Sequence, residues 1–215
     1  NKIIRKAIDN KSNNTDKFKE YTSSFYSRGL FKVKNAPEKI LGQRLGDLGG
    51  GLDSTRTGII YLSETVSEIT FQKKPAEFKE KIIASKVSGS DNGISFNRAE
   101  EANFDFYSNA VLIAENNLVS PISDNAFRYY RYELEGSFYE KNGRLINKIK
   151  VNPKRSKDRV FSGFIYIVEE DWAIYGVDLK ASGEQIGIPI IEVLKFKQDY
   201  NYSESNKAWI KISQI

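Results

Sequence analysis

The chain has 215 residues, of which 40% are hydrophobic and 13% aromatic, so it can bury a core, and this composition excludes an intrinsically disordered protein. It contains no Cys and no His, which excludes disulfides, thiol nucleophiles, imidazole acid–base catalysis and Cys/His zinc sites. The net charge of +5 is modest for this length and is typical of a soluble surface that also permits attraction to anionic partners.

Residues 1–11 predict a short amphipathic helix. Four apolar residues recur on one side at helical spacing: Ile3, Ile4, Ala7 and Ile8. We interpret this helix as a cap on the core, because its narrow apolar face has no aromatic anchor for a membrane surface. The polar stretch 10–16 is predicted to be a turn. No apolar run in the sequence reaches the roughly eighteen residues of a membrane-spanning helix.

The first half of the chain then predicts strands. Residues 18–34 alternate as one long strand, or as two strands with a kink at Gly29, and further strands are predicted over 58–63, 66–73 and 80–88.

A glycine-rich connection, 35–58, separates these strands. A phosphate-binding loop would need a Gly-Lys-Ser/Thr ending and a following helix, and both are absent. We therefore predict a surface loop.

Asn97 and Glu100 have the spacing of a helix N-cap and its acidic partner three residues later. This predicts a helix with five apolar positions: Ala99, Ala102, Phe104, Tyr107 and Val111. The stretch 103–113 also fits a strand. Residues 118–126 are predicted to be a connection interrupted by Pro121.

The clearest pattern is a meander of strands over 130–180. Alternation over 130–139 leads to the turn Asn142-Gly143, and alternation resumes until Pro153. The strand 160–168 is apolar on both faces, and the next strand runs from Trp172 to Leu179. Two last strands are predicted over 188–200 and 207–213.

These segments predict a mainly β (α+β) fold, because short connections between strands favour antiparallel pairing. We expect roughly eight to eleven strands in a strongly curved antiparallel sheet, an open half barrel with one or two helices on its concave side. No Pro-rich or Ser-rich linker divides the sequence, so residues 1–215 are expected to form a single domain. Because the sequence ends directly after a strand, we expect it to be part of a larger protein.

Two long and idiosyncratic pieces of sequence carry a resemblance to a known family. They are SEITF and KIIASKVSG within residues 67–89, and SPISDNAF followed by YRYEL within residues 120–134. The chain resembles the soluble region of DUF5686, a Bacteroidota envelope family, from KAIDNK (6–11) to AWIKISQI (208–215). The resemblance implies a periplasmic domain that lies between a small β-sandwich and an outer-membrane barrel outside this chain. It transfers no catalytic residues.

The runs VFSGFIYIV (160–168) and DWAIYGVDL (171–179) also resemble the half-barrel folds of periplasmic lipoprotein carriers. That resemblance implies an apolar concave face which binds acyl chains. We therefore predict a non-enzymatic module, at the periplasmic face of the outer membrane, that binds a lipidic ligand or another envelope protein. It is expected to need no cofactor, metal or nucleic acid. The predicted lining of the site is aromatic: Phe25, Phe71, Phe104, Tyr130, Tyr132, Phe164, Tyr166 and Trp172.

Several alternatives remain open. A hydrolase acting on envelope polysaccharide would need paired carboxylates in a cleft, and the spacing of the 28 acidic residues singles out no pair. The acidic run 169–171 is predicted to be a hairpin tip rather than a cation site, because adjacent residues converge poorly on one ion. The basic loop 154–159 is predicted to face water, and binding to nucleic acid ranks third among the functions considered.

Overall fold

The computed structural model describes residues 2–16, 20–40, 43–44, 46, 50–72, 77–89, 104–113, 115–188 and 191–215. The helices within these ranges are α1 (Lys2–Asp9), α2 (Lys11–Asp16), α3 (Ala126–Tyr129) and α4 (Gly183–Ile186). The strands are β1 (Glu20–Val33), β2 (Lys39–Ile40), β3 (Gln43–Arg44), β4 (Gly58–Gln72), β5 (Glu77–Gly89), β6 (Ala110–Ile113), β7 (Asn116–Val119), β8 (Tyr130–Tyr139), β9 (Leu145–Pro153), β10 (Ser162–Val168), β11 (Ile174–Ser182), β12 (Val193–Ser203) and β13 (Ala208–Gln214).

Nine of these strands form one open sheet in the order β5-β4-β1-β13-β12-β11-β10-β9-β8. The mainly β fold predicted from the sequence is confirmed. The sheet is mixed, however, because β1 and β13 run parallel where Tyr26 and Ser27 lie opposite Ser213 and Gln214. Every other neighbouring pair in the sheet is antiparallel.

The meander from β8 to β11 has the predicted connections. The hairpin between β8 and β9 turns at Asn142-Gly143, where Gly143 has a φ of 79° and its N–H donates to the Glu140 carbonyl at 2.9 Å. A residue without a Cβ adopts this left-handed conformation at no steric cost. Local turn chemistry therefore sets the pairing of β8 with β9 beside this turn.

One face of β9 to β12, here called the core face, packs into the main hydrophobic core. Cross-strand pairing places Ile149, Ile165 and Val177 side by side on it, and all three are buried. Ile4 and Ala7 of α1 belong to the same buried cluster, so the predicted role of the N-terminal helix as a cap on the core is confirmed. Burial of apolar surface on this scale is the main stabilising term of such a domain.

Of the two forms predicted for residues 18–34, the single long strand is confirmed, since β1 continues through Gly29 in register with β4. Two other local predictions were wrong. Residues 10–16 include the helix α2 rather than only a turn, because Asn14 is buried and its amide donates to the Asp171 carbonyl at 3.1 Å. The two strands predicted over 58–73 are the single strand β4.

Where it can be compared, the helix predicted at 97–111 is wrong, and the alternative, a strand within 103–113, is confirmed for residues 110–113. Its start at Asn97 and Glu100 lies outside the described residues. Val111 lies in β6, opposite Leu118 of β7. Residues 110–113 alternate between exposed and buried side chains, and this period of two determines the structure of the segment.

Candidate functional site

A groove opens on the face of the sheet opposite the core face, here called the groove face. Because antiparallel partners share a face, pairing places Lys150, Phe164, Asp178 and Lys197 in one row across β9 to β12. A second row holds Ser162, Lys180 and Lys195. The groove has a volume of about 450 Å³, within the range of small-molecule sites.

The groove is cationic around an aromatic floor. Lys150, Lys180 and Lys195 line it together with the half-buried ring of Phe164. The Lys148 ammonium lies 4.2 Å from the centre of that ring, a distance that favours a cation–π interaction. Asp178 is the only carboxylate among the lining residues, and Glu135 forms an ion pair with Lys150 at 3.6 Å. Three lysines therefore face two carboxylates, and the groove keeps a net positive charge.

Gly163 shapes the groove between β10 and β11. It has a φ of 132°, and a Cβ at this position would lie 2.3 Å from the Asp178 carbonyl oxygen. The backbones approach each other so closely here that only glycine fits without displacement.

The eight aromatic residues predicted to line one apolar face lie in three places. Phe104, Tyr130, Tyr132, Tyr166 and Trp172 all belong to or pack against the main core. Phe25 forms a smaller cluster with Ile69, and Phe71 stacks on Tyr21 at 5.5 Å between ring centres. Phe164 lines the groove. The structure therefore brings five of the eight to one core and a single one to the groove.

The sequence did not predict that lysines from different strands would lie together in one groove. Alternation alone puts Lys148 with Lys150, and Lys195 with Lys197, on the polar side of their own strands. The missing information was the register that aligns these strands with one another. The alternation in the sequence does indicate that each pair of lysines lies opposite the buried face of its own strand. It does not indicate that the two pairs lie on one continuous surface.

Hydroxyl groups in the core serve structural roles. The Tyr130 hydroxyl donates to the Val119 carbonyl and accepts the Phe161 N–H at 3.0 Å. The Tyr132 hydroxyl donates to the Pro121 carbonyl at 2.7 Å. Burial raises the pKa of both phenols above the ordinary range of tyrosine. These hydrogen bonds attach the chain segment around Val119 and Pro121, which precedes β8, to the sheet.

This burial predicts a loss of stability in alkali. Burial also raises the pKa of Tyr107 and Tyr200. Above pH 10 the unfolded chain releases tyrosine protons that the folded chain retains, so the free energy of unfolding falls by about 1.4 kcal/mol per pH unit for each such tyrosine. Tyr132→Phe is expected to make this fall shallower in urea titrations between pH 10 and 11. An unchanged slope would contradict the assignment.

The partly buried amine of Lys211 changes stability with pH in the opposite direction. Burial lowers the pKa of Lys211 to about 8. Between pH 8 and its ordinary pKa the unfolded chain binds a proton that the folded chain does not, so this amine makes stability rise with pH in that range. Tyr132→Phe and the parent protein share Lys211. The contribution of this amine therefore cancels when the pH dependence of the free energy of unfolding is compared between the two proteins.

The acidic run 169–171 takes part in structural hydrogen bonds. Glu169 accepts the Asn147 amide at 2.6 Å, and the Asp171 carboxylate accepts the Trp209 indole N–H at 2.9 Å. Across the described ranges, no group of three or more acidic side chains is arranged to hold a metal ion. In the basic loop, Arg155 forms an ion pair with Asp158 at 2.8 Å.

None of the helices in the described part of the chain is long and apolar enough to cross a membrane. No curated protein and no solved structure matches the chain at a significant level. One family model, described as a family of unknown function, matches residues 3–215. The match spans the nine-stranded sheet and the groove together, and the chain therefore belongs to the DUF5686 family.

Proposed function

We propose that this chain is a non-enzymatic binding module that takes the anionic headgroup of a lipidic ligand in the lysine-lined groove. The observation that carries the proposal is that three lysines line one groove together with a half-buried aromatic ring. Cations recognise phosphate or carboxylate, and the ring of Phe164 offers apolar contact to the first part of an acyl chain.

The groove suits this role better than the aromatic face predicted from the sequence. Tyr130 is fully packed, and Trp172 lies beneath the Lys6 ammonium at 4.1 Å. Phe104 packs edge-on against Phe196 at 5.1 Å. These rings pack in or against the core, whereas Phe164 is half-buried among the lysines that line the groove.

A hydrolase acting on polysaccharide is the alternative from another class. It requires two carboxylates on opposite sides of a substrate cleft. Asp178 is the only carboxylate among the residues that line the groove. Its cross-strand neighbours are Phe164 and Lys197, and neither is acidic. The groove offers no observation that favours this alternative.

We further propose that the module acts at the periplasmic face of the outer membrane, as part of a larger envelope protein. The support is the resemblance to envelope proteins noted from the sequence and a cysteine-free composition, which is compatible with an oxidising compartment. Fractionation of cells that carry the tagged full-length protein tests this. Recovery with the cytoplasm would contradict it.

Binding to anionic vesicles tests the groove. Changing Lys150, Lys180 and Lys195 together to Gln is expected to weaken binding roughly 100-fold, because each lysine near an anionic surface contributes about 1 kcal/mol. The measurement is co-sedimentation with phosphatidylglycerol vesicles, compared with phosphatidylcholine vesicles and with inorganic phosphate as a competitor. Tight binding to inorganic phosphate alone would show that the groove recognises the anion and not a lipid.

The matched control changes Lys79, Lys81 and Lys86 of β5 to Gln. These three lysines are exposed on the far edge of the sheet, and their replacement changes the net charge by the same amount. The control is expected to keep most of the parent affinity. Equal losses in both triple variants would show that net charge, and not the groove, determines binding.

A further inference from the structure

The groove face carries carboxylates as well as lysines. Cross-strand pairing places Asp178 of β11 between Phe164 and Lys197, and Asp178 lines the groove. Asp199 lies two residues beyond Lys197 on β12 and pairs with Gly176 of β11. Because residues two positions apart on a strand share a face, Asp178 and Asp199 lie on the same surface of two neighbouring strands.

The lysines of the groove lie beside Asp178 along the strands. Lys180 and Lys195 pair across β11 and β12, one same-face position further along than the pair of Asp178 and Lys197. Same-face residues of one strand lie about 6.7 Å apart, so about this distance separates the backbone positions of Asp178 and Lys180. A small ligand can therefore reach the two lysines with one group and Asp178 with another.

The charges of these side chains are not used within the described part of the chain. Asp178, Lys180 and Lys195 are all exposed, and none of them forms an ion pair with a residue that the structure describes. Lys150 differs from them, because its ammonium contacts the Glu135 carboxylate at 3.6 Å. Asp178 and the two lysines are thus the groups that a charged ligand meets unpaired.

The phenol of Tyr166 lies near the acidic part of the groove face. Tyr166 is two residues beyond Phe164 on β10 and pairs with Gly176. Burial raises the pKa of its hydroxyl, and the negative charges of Asp178 and Asp199 raise it further. A negative potential opposes the loss of a proton and favours a nearby cation. The groove face therefore suits a positive group at Asp178 as well as a negative group at the lysines.

We propose, as an extension that rests on the proposed function, that the groove selects an anionic headgroup which also carries a primary ammonium group. The phosphate lies against Lys180 and Lys195, and the ammonium group donates hydrogen bonds to the Asp178 carboxylate. Hydrogen bonds between charged partners are stronger than those between neutral ones. A quaternary ammonium group has no N–H to donate, so Asp178 favours a primary amine over choline.

Two lipids of equal net charge test this selectivity. Phosphatidylserine and phosphatidylglycerol each carry a single net negative charge, but only phosphatidylserine has an ammonium group. In co-sedimentation, the parent protein is expected to bind phosphatidylserine vesicles about tenfold more tightly than phosphatidylglycerol vesicles. Equal binding of the two lipids by the parent would overturn the proposal.

Asp178→Asn isolates the contribution of the ammonium group. The variant is expected to bind phosphatidylserine about tenfold more weakly than the parent does. Its binding to phosphatidylglycerol is expected to be equal or slightly tighter, because a carboxylate that repels the phosphate is lost. Retained binding to phosphatidylglycerol also shows that the variant is folded. A change of both affinities by the same factor would overturn the proposal.

Glu68→Gln is the matched control. Glu68 is exposed on β4, in the other half of the sheet, and its replacement changes the net charge by the same amount. It is expected to preserve the preference for phosphatidylserine. If this control abolishes the preference as Asp178→Asn does, net charge and not Asp178 determines the selectivity.

The triple variant of Lys150, Lys180 and Lys195 separates two kinds of failure. If it binds both lipids as tightly as the parent does, the proposed function is wrong, and the selectivity fails with it. If it loses both lipids while Asp178→Asn still affects the two equally, the groove binds the headgroup and only the selectivity for an ammonium group is wrong.

Discussion

Replacing Tyr130 with alanine is expected to lower the free energy of unfolding by about 5 kcal/mol. The side chain is 1% exposed and lies in the main core. Its removal leaves a cavity the size of an aromatic ring. It also leaves the Val119 carbonyl and the Phe161 N–H, which the hydroxyl now pairs, without a partner.

Urea denaturation of a matched set of variants checks this expectation. Tyr130→Phe retains the ring and is expected to cost about 2 kcal/mol through the unpaired backbone groups alone. Tyr139→Ala, at the other end of β8, is the control, because Tyr139 is 73% exposed and its loss is expected to change stability by about 0.5 kcal/mol or less. Equal costs for Tyr130→Phe and Tyr139→Ala would contradict the hydrogen-bonding role of Tyr130.

The second large effect is expected at Gly163. Gly163→Ala is expected to destabilise the fold by about 3 kcal/mol, because the new Cβ meets the Asp178 carbonyl oxygen and the φ of 132° is strained for any residue that has a side chain. Thermal unfolding measures the loss. The variant is also expected to bind anionic vesicles less well, since the strands that carry Phe164 and Lys180 must move apart.

Gly136→Ala is the control for this substitution. Gly136 lies in β8, and nothing lies within 4 Å of a Cβ built on it. Alanine is expected to be neutral there, or to stabilise the strand by about 0.5 kcal/mol. If the two variants unfold at the same temperature, the close approach of β10 and β11 at Gly163 is not a determinant of stability.

The half of the fold held together by short turns was predictable from the sequence. Alternation over 130–139, the turn at Asn142-Gly143 and the doubly apolar strand over 160–168 each depend on residues that are close in the chain. Hydrogen bonding between consecutive strands then follows from connection length alone. The observed strands β8 to β11 therefore match the predicted meander.

The parallel pairing of β1 with β13 was not predictable in this way. It joins Tyr26 and Ser27 to Ser213 and Gln214, and no local signal links segments so distant in sequence. Helix α2 depends similarly on a distant contact, the hydrogen bond from Asn14 to Asp171. Tertiary contacts of this kind override the turn propensity of a polar segment.

The cationic groove was not predicted from the sequence. The sequence indicated an aromatic, apolar binding face, and of its eight predicted residues only Phe164 lines the groove. Most of the other predicted rings complete the core instead, since a large aromatic residue on a sheet face packs against whatever covers that face. The lysines that distinguish the groove come from β9, β11 and β12, and only the register between these strands places them together.

A titration of the isotope-labelled protein with a short-chain phosphatidylglycerol, followed by amide NMR, tests the groove most directly. Saturable shifts centred on Gly163, Phe164 and Lys180 are expected, while the amides of α1 and of β5 stay unchanged. Shifts centred on Phe104 and Trp172, with unchanged amide signals from the groove residues, would contradict binding in the groove. They would place the ligand on the core face.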